Sequence, residues 1–246
     1  MIQTILITGA SSGIGKALAF EMSNRGYAIG LTARRIEELE KIRDEIKKER
    51  SSAIVAIRKL DVTDYNDVPI AVNSIVEELN GFDIAFVNAG IGLGEEVGKG
   101  QFEKSRCTIE TNLIGAIATI DAATNYFLER GRGHIVGVAS VAAFRGLPRS
   151  ASYSASKAGM SVYLEALRAE TYGRNIDVTV LYPGFIDTPL NDMLKSRPFL
   201  ISVEKGAAII AGLIEKKVKS STVPVFPWNI VGRLLKILPT SIIAKM

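Results

Sequence analysis

Tyr153 and Lys157 lie four residues apart, a spacing that could support proton transfer. On a helix, residues at positions i and i+4 lie on one face, so their side chains can interact. A phenol has a pKa near ~10, and a fixed positive charge beside it is expected to favour the phenolate and lower that pKa. The pair is therefore a candidate general acid and base. Because many chains contain this spacing by chance, the surrounding sequence must decide whether the pair has a function.

A glycine-rich run at residues 8–15, TGASSGIG, follows an apolar run at once and precedes a helical pattern. Gly9 allows a tight turn, Gly13 lets the backbone approach a pyrophosphate, and Gly15 permits close packing of helix and strand. Free N–H groups at a helix N-terminus favour an anion. The run therefore predicts dinucleotide binding, although an ordinary strand-to-helix turn is the alternative. The predicted contacts are Gly9, Ser11, Ser12, Gly13, Ile14 and Gly15.

The elements that must position these residues follow from hydrophobic patterning. Amphipathic segments, such as the one containing Leu39, Ile42 and Ile46, separate short apolar runs. Alternating strands and helices predict crossover connections and a parallel sheet covered on both sides. We predict an α/β, single-domain, Rossmann-like doubly wound parallel sheet over residues 1–246. The predicted strands, each buried on both faces, are Ile5–Thr8, Ala28–Thr32, Ala53–Ile57, Ile84–Val87, Ile135–Ala139 and Val178–Leu181.

Composition narrows the classes of partner. The net charge of +4, from 30 basic and 26 acidic residues, is scattered and does not indicate nucleic-acid binding, although it suits anionic ligands. The single cysteine, Cys107, excludes an internal disulfide and fits a reducing, cytoplasmic location. The N-terminus does not resemble a signal peptide, and no apolar run reaches the ~18 residues of a membrane span. His134 and Cys107 are assigned structural roles, and no metal site is expected.

The motifs TGxxxGxG and YxxxK together resemble the short-chain dehydrogenase/reductase family over about residues 3–190. Other landmarks of that family occur in the same order along the chain. They are Asp61-Val62 after the third strand, Asn88-Ala89-Gly90 after the fourth, Asn112 in the following helix, Ser140 at the end of the fifth, and Pro183-Gly184-Phe185-Ile186-Asp187-Thr188 after the sixth.

The resemblance implies an NAD(P)-dependent oxidoreductase acting on CH–OH or C=O groups. Tyr153 would protonate a carbonyl oxygen or deprotonate an alcohol, and Lys157 would lower its pKa and bond the nicotinamide ribose. Ser140 would hydrogen-bond the substrate oxygen, and Asn112 would order a water that links Lys157 to solvent. The remaining implied cofactor contacts are Asp61, Val62, Asn88, Ala89, Gly90, Pro183, Gly184, Ile186 and Thr188.

Two arginines favour NADP over NAD as the cofactor. A carboxylate at the end of the second strand accepts bonds from a free ribose 2′-OH, whereas arginine pairs with a 2′-phosphate. Here that strand ends at Arg34 and Arg35, with no acidic residue at the turn. The alternative is two solvated arginines that cap the strand. One departure is Ser12, because many NADP-preferring relatives carry a basic residue inside the glycine loop.

The substrate is predicted to be a small, apolar carbonyl or alcohol compound. Residues 189–205 are a candidate substrate lid, which includes Leu190 and Met193. Together with the lid, Ile91, Leu93, Phe144, Leu147 and Phe185 are expected to line an apolar pocket. A sugar-nucleotide epimerase or dehydratase is less favoured because only 58 residues follow Thr188. An NADPH-binding sensor with little turnover is the alternative from another functional class.

Two segments are candidates for contacts with a second subunit or a membrane. Residues 111–128 are apolar on nearly every side, so they form either a core helix or one covered by a second subunit, and a homodimer or homotetramer is expected. An edge-like strand is predicted over Val223–Pro227, before an amphipathic helix and tail at residues 228–246. Val231, Leu234, Leu235 and Leu238 are predicted to share one face of that helix. It packs on its own domain or a partner subunit, or it binds a membrane surface.

Overall fold

Seven strands form one sheet in which every pairing is parallel. The structure is a computed structural model that describes residues 2–192, 194 and 196–245. The strand order is β3-β2-β1-β4-β5-β6-β7. The predicted α/β doubly wound fold is confirmed. The strands are β1 (Thr4–Thr8), β2 (Ala28–Ala33), β3 (Val55–Lys59), β4 (Ile84–Val87), β5 (Gly133–Val138), β6 (Ile176–Pro183) and β7 (Ser220–Val223).

Helices cover both faces of the sheet, because successive side chains of each strand point to opposite sides. In β1, Ile5 and Ile7 join the core beneath the helices at residues 13–24, 36–49 and 203–215, whereas Leu6 joins the core on the other face of the sheet, beneath the helices at residues 67–79, 115–130 and 151–170. The helices are α1 (Gly13–Asn24), α2 (Ile36–Glu49), α3 (Asp67–Leu79), α4 (Phe102–Ile109), α5 (Gly115–Arg130), α6 (Ala151–Glu170), α7 (Val203–Glu215), α8 (Trp228–Ile237) and α9 (Thr240–Ile243). None of these helices, within the described residues, is long and apolar enough to cross a membrane.

The strand order places the predicted site residues at one edge of the sheet. β1 lies between β2 and β4, so the chain reverses its direction of winding at this point. In open parallel sheets, ligands bind beyond the carboxyl ends of the strands at such a reversal. The segments that follow β1, β4, β5 and β6 therefore converge there.

Two strand predictions need correction. The third strand begins at Val55 rather than Ala53, and it lies at the edge of the sheet, where Lys59 is exposed. The last strand is Ser220–Val223 and ends where the predicted strand begins. Pro224 has no N–H to donate to a sheet ladder, which explains why the pairing with β6 stops at Val223.

The C-terminal helix α8 packs on its own domain through Trp228, Gly232 and Leu235. The Trp228 ring lies edge-on to Phe185 and Phe199, with 5.8 Å between ring centroids in each pair. Of the four residues predicted to share one face of this helix, Leu235 is buried, Val231 and Leu238 are half-buried, and Leu234 is exposed.

Candidate active site

A cavity of about 480 Å³ lies at the carboxyl ends of the central strands. It collects nearly all of the predicted site residues, and only Gly15 and Asn112 lie outside its walls. The predicted residues on its walls are Gly9, Ser11, Ser12, Gly13, Ile14, Arg34, Arg35, Asp61, Val62, Asn88, Ala89, Gly90, Ser140, Tyr153, Lys157, Pro183, Gly184, Ile186 and Thr188.

The glycine loop has a backbone that side chains would obstruct. Gly9 has a φ of +67°, and a Cβ added there would lie 2.7 Å from the Ala89 Cα. A Cβ on Gly15 would lie 2.5 Å from the Gly9 carbonyl oxygen, so Gly15 supports the loop from behind rather than lining the cavity. Ser12 precedes the first turn of α1, and its side chain caps no N–H group in the described structure. The N–H groups of that turn thus suit a phosphate.

The arginines after β2 lie at the same end of the cavity as the glycine loop. Arg35 Nη2 donates to Ser11 Oγ at 3.0 Å, which holds its guanidinium beside the loop. Arg34 is exposed and forms no ion pair or hydrogen bond through its side chain with any described residue. Its guanidinium is therefore available to an anionic ligand.

Side chains at the strand ends brace the middle of the cavity. Asn88 Nδ2 donates to the Thr8 carbonyl at 3.0 Å, which links the end of β4 to the end of β1. Asp61 Oδ1 accepts from the Thr63 N–H at 3.0 Å and from Thr63 Oγ1 at 2.8 Å, which stabilises the turn after β3.

Tyr153 and Lys157 lie on successive turns of α6. Lys157 is buried, and its Nζ donates to the Val138 carbonyl at 2.8 Å. The Nζ lies 6.0 Å from the centroid of the Tyr153 ring. Burial lowers the pKa of Lys157 to about 8, because removing an ammonium from water penalises its charged form.

The pKa of Tyr153 differs from the sequence prediction. Burial raises this pKa, and a hydrogen bond with Ser140 opposes the rise. This direction is opposite to the sequence prediction that Lys157 lowers the pKa of Tyr153. The Lys157 ammonium is directed to the Val138 carbonyl, and desolvation of the phenolate dominates.

Ser140 lies directly after β5, where it caps a short 3₁₀ turn over Val141–Ala143. Its Oγ accepts a hydrogen bond from the Ala142 N–H at 3.1 Å and lies 3.5 Å from the Pro183 carbonyl oxygen. The cap fixes the position of the hydroxyl on the cavity wall, near Tyr153.

Asn112 lies in a π-helical turn, Glu110–Ile114, between α4 and α5. Its fully buried amide accepts from the Ile91 N–H at 2.7 Å and donates to the Ile91 carbonyl at 2.8 Å. A Cβ on Gly90 would lie 3.2 Å from Asn112 Oδ1 and 3.5 Å from Lys157 Nζ. The Gly90 backbone therefore lies close to both groups.

We expect Asn112→Ala to lower the free energy of unfolding by about 1–3 kcal/mol, because it leaves the partly buried N–H and C=O of Ile91 without their side-chain partner. Urea denaturation measures this difference. Asn125→Ala is the control, since Asn125 is exposed on α5. Equal stabilities of the two variants would contradict the bracing role of Asn112.

The sequence did not reveal Glu95, a buried residue in the loop after β4. Its Oε1 accepts from the Ser152 N–H at 2.6 Å and from Ser152 Oγ at 2.7 Å. The Glu95 N–H also donates to the Arg149 carbonyl at 3.1 Å. These bonds join the loop to the first turn of α6, which carries Tyr153. No motif marks a lone acidic residue in a loop, so only the structure could identify it.

The predicted apolar pocket is only partly formed. Ile91, Leu93 and Leu190 line the cavity. Phe144 instead packs on Tyr182, with 4.7 Å between centroids, because α8 and β6 provide an apolar environment for its ring. Phe185 likewise packs on Trp228.

Leu147 and Met193 were also predicted to line the apolar pocket. Leu147 borders a separate cavity beside Thr240 and Ile243 of the C-terminal tail. Met193 lies outside the described residues. The aliphatic wall of the candidate active site therefore comes from the loops after β4 and β6.

His134 and Cys107 lie away from this cavity. His134 is buried near the start of β5, where its Nε2 lies 2.8 Å from Thr179 Oγ1. Burial lowers the pKa of His134 to about 4, so it is neutral at physiological pH. Cys107 is half-buried on α4.

Comparison with known proteins identifies the family. The family model described as short chain dehydrogenase matches residues 3–198, which is most of the chain. The chain belongs to the short-chain dehydrogenase/reductase family. The chain is 38% identical over 238 residues to an uncharacterised oxidoreductase of Mycobacterium tuberculosis, a match covering 96% of this chain and 94% of that relative. It is therefore an oxidoreductase.

Two solved structures resemble the fold of this chain. An alcohol dehydrogenase from the archaeon Thermococcus sibiricus, complexed with 5-hydroxy-NADP, has a TM-score of 0.81 and 26% identity, with 90% of this chain and 95% of that chain covered. A short-chain dehydrogenase/reductase from Burkholderia phymatum, in complex with NAD, has a TM-score of 0.85 and 21% identity, covering 95% and 92%. Members of the family bind NAD(P), act on small molecules and usually form oligomers.

Proposed function

We propose that this protein is an NADPH-dependent carbonyl reductase acting on an apolar aldehyde or ketone. One observation carries the proposal: a single cavity joins Arg34 and the glycine loop at one end to Ser140, Tyr153 and Lys157 at the other. The cavity thus offers cations for a phosphorylated cofactor and a proton donor for a substrate oxygen. NADPH, when bound, supplies the hydride.

Tyr153 donates the proton that the reduced oxygen requires. A phenol whose pKa is raised by burial keeps its proton at neutral pH, which suits reduction rather than oxidation. Ser140, fixed by its bond from Ala142, hydrogen-bonds the same substrate oxygen and stabilises the negative charge that develops on it. Lys157 bonds the nicotinamide ribose and, through its charge, assists reprotonation of Tyr153.

Reprotonation of Tyr153 requires a route from solvent. Asn112 Oδ1 and Lys157 Nζ both lie close to Gly90, and we infer that one water molecule links these two groups. Asn112 Oδ1 already accepts from the Ile91 N–H, and a carbonyl oxygen has a second lone pair for that water. Asn112 therefore orders the water while it braces the loop.

A preference for NADPH over NADH follows from Arg34. A charge-assisted bond to the 2′-phosphate contributes roughly 1.5–3 kcal/mol. We expect Arg34→Ala to weaken NADPH binding by about 10–100-fold and to change NADH binding by less than about threefold. Fluorescence titration measures both affinities. Arg132→Ala is the control, since Arg132 is an exposed arginine outside this cavity. Equal affinities of the wild type for the two cofactors would overturn the preference.

The substrate class follows from the aliphatic wall of Ile91, Leu93 and Leu190. Apolar side chains favour an uncharged carbonyl compound over a sugar or a carboxylic acid. The decisive experiment follows NADPH oxidation with a panel of aliphatic, aromatic and charged aldehydes and ketones. Turnover of the apolar members supports the proposal. Tight NADPH binding without turnover of any member would favour the sensor. A cytoplasmic location, where NADPH supports reductions, is part of the same proposal.

A further inference from the structure

Helix α8 is apolar on two opposite sides. Trp228, Gly232 and Leu235 face the domain and are buried. On the other side, Ile230 is 52% exposed, Leu234 is 48% exposed and Ile237 is 77% exposed. With 3.6 residues per turn, these three side chains lie within about 60° of one another around the helix. A helix that only packs on its own domain has no need of this second stripe.

Two exposed aromatic residues lie near the start of α8. Phe226, just before the helix, is 71% exposed. Phe199 is 53% exposed, and its ring lies edge-on to Trp228 on the buried side of the helix. We call the set Phe226, Ile230, Leu234 and Ile237 the outer patch. Several exposed apolar side chains on one element mark an interaction surface.

The charge around the outer patch indicates what covers it. Residues 216–246 contain six lysines and arginines, and no Asp or Glu follows Glu215. Arg233 and Lys236 are exposed on α8, on one flank of the outer patch. Neither forms a salt bridge within the described chain, although Lys236 Nζ lies 5.2 Å above the Phe144 ring. A cationic flank beside an apolar stripe is typical of helices that lie on anionic lipid surfaces.

We propose that α8 seats this protein on the surface of an anionic lipid membrane. The outer patch enters the interface between headgroups and acyl chains, and Arg233 and Lys236 pair with lipid phosphates. A second copy fits less well, because two-fold pairing through α8 would bring these cations together with no acidic residue of the tail to pair with them.

The proposed seating has a consequence for the substrate. Leu190 lines the active-site cavity and is also 45% exposed. The chain then runs from Leu190 to Phe199, whose ring contacts Trp228 at the start of α8, so one short segment joins the cavity wall to this helix. If the proposed reductase function holds, an apolar carbonyl compound carried in the lipid layer would be a suitable substrate. The seating itself does not depend on that function.

Vesicle flotation tests the proposal with the full-length protein. We expect flotation with phosphatidylcholine vesicles that contain phosphatidylglycerol, and much less with phosphatidylcholine alone. The triple variant Ile230→Ser, Leu234→Ser, Ile237→Ser should lower the bound fraction at least tenfold. The double variant Arg233→Gln, Lys236→Gln should remove the preference for anionic vesicles.

A matched triple variant controls for general surface hydrophobicity. The control positions are Ile54, Ile70 and Val97, which do not lie on α8. Their exposed fractions of 47%, 58% and 84% are similar to those of Ile230, Leu234 and Ile237. Their replacement by Ser should leave flotation unchanged. NADPH titration of the patch variant shows that its fold and cofactor site persist.

Three outcomes would overturn the seating. They are a wild type that does not float, a patch variant that floats as well as the wild type, and a patch variant that falls to a smaller oligomer in light scattering without vesicles. The last would assign the patch to a second copy. Flotation without carbonyl turnover would leave the seating intact and count against the reductase proposal alone.

Discussion

Replacing Tyr153 with Phe is expected to lower kcat for carbonyl reduction by about 10²–10⁴-fold, the usual contribution of a positioned general acid. The substitution removes only the hydroxyl, so the ring keeps its place on α6. NADPH affinity and the melting temperature should change little. Steady-state kinetics with single-turnover measurements separates the loss in chemistry from any loss in binding.

Tyr163→Phe is the matched control for this prediction. Tyr163 lies on the same helix but packs among core residues, away from the cavity. Its replacement should leave kcat within about threefold of the wild type. A Tyr153→Phe enzyme that reduces its substrate within tenfold of the wild-type rate would remove Tyr153 from the proposed chemistry.

Replacing Lys157 with Met is expected to lower kcat/KM for NADPH by about a hundredfold or more. Met retains most of the side-chain volume but cannot donate hydrogen bonds to the ribose, each worth roughly 1.5–3 kcal/mol when the donor is charged. The folded protein should persist. Loss of the bond to the Val138 carbonyl is offset by removal of a buried charge that is costly to desolvate.

The pKa of Lys157 adds a pH signature to the same comparison. Burial lowers it to about 8, so the ammonium is present below this pH and is lost as the pH rises through it. The kcat/KM for NADPH of the wild type should therefore fall above about pH 8, whereas that of Lys157→Met should stay flat. Tyr153 does not confuse the profile, since burial raises its pKa from 10.0. Identical profiles for the two proteins would contradict the role of the ammonium.

The same shift links pH to stability. Between about pH 8 and 10.5, the folded protein binds fewer protons at Lys157 than the unfolded chain does. The free energy of unfolding therefore increases through Lys157 as the pH rises across that window, so the folded state becomes more stable. Urea denaturation at the two ends of the window should show this increment in the wild type and a smaller one in Lys157→Met.

Local patterns in the sequence were sufficient to predict the fold and the family. The hydrophobic period of a strand or a helix is visible within a single segment of the sequence. The glycine loop likewise requires only three glycines around one turn. The strands themselves were predicted within a few residues. Their ends were less certain, as β3 shows, because the last ladder bonds depend on a neighbouring strand that sequence patterns do not specify.

Other features depended on contacts between distant parts of the chain. Glu95 reaches Ser152 across 57 positions, and Phe144 packs against Gly232 of α8 rather than facing a substrate. The direction of the Tyr153 pKa shift also depended on burial, which competes with the nearby Lys157. Spacing along the chain carries no information about any of these balances.

The sequence by itself determined the class of this protein: a parallel α/β sheet, a phosphate-binding glycine loop and the motifs of a short-chain dehydrogenase/reductase. These depend on short-range order, since each motif lies within one turn or one strand end. Only the tertiary structure decided which groups meet in the cavity, how Asn112 braces Ile91 and which sides of α8 are buried or exposed. The physical reason is that burial and hydrogen bonding depend on residues far apart in the chain, which folding alone brings together.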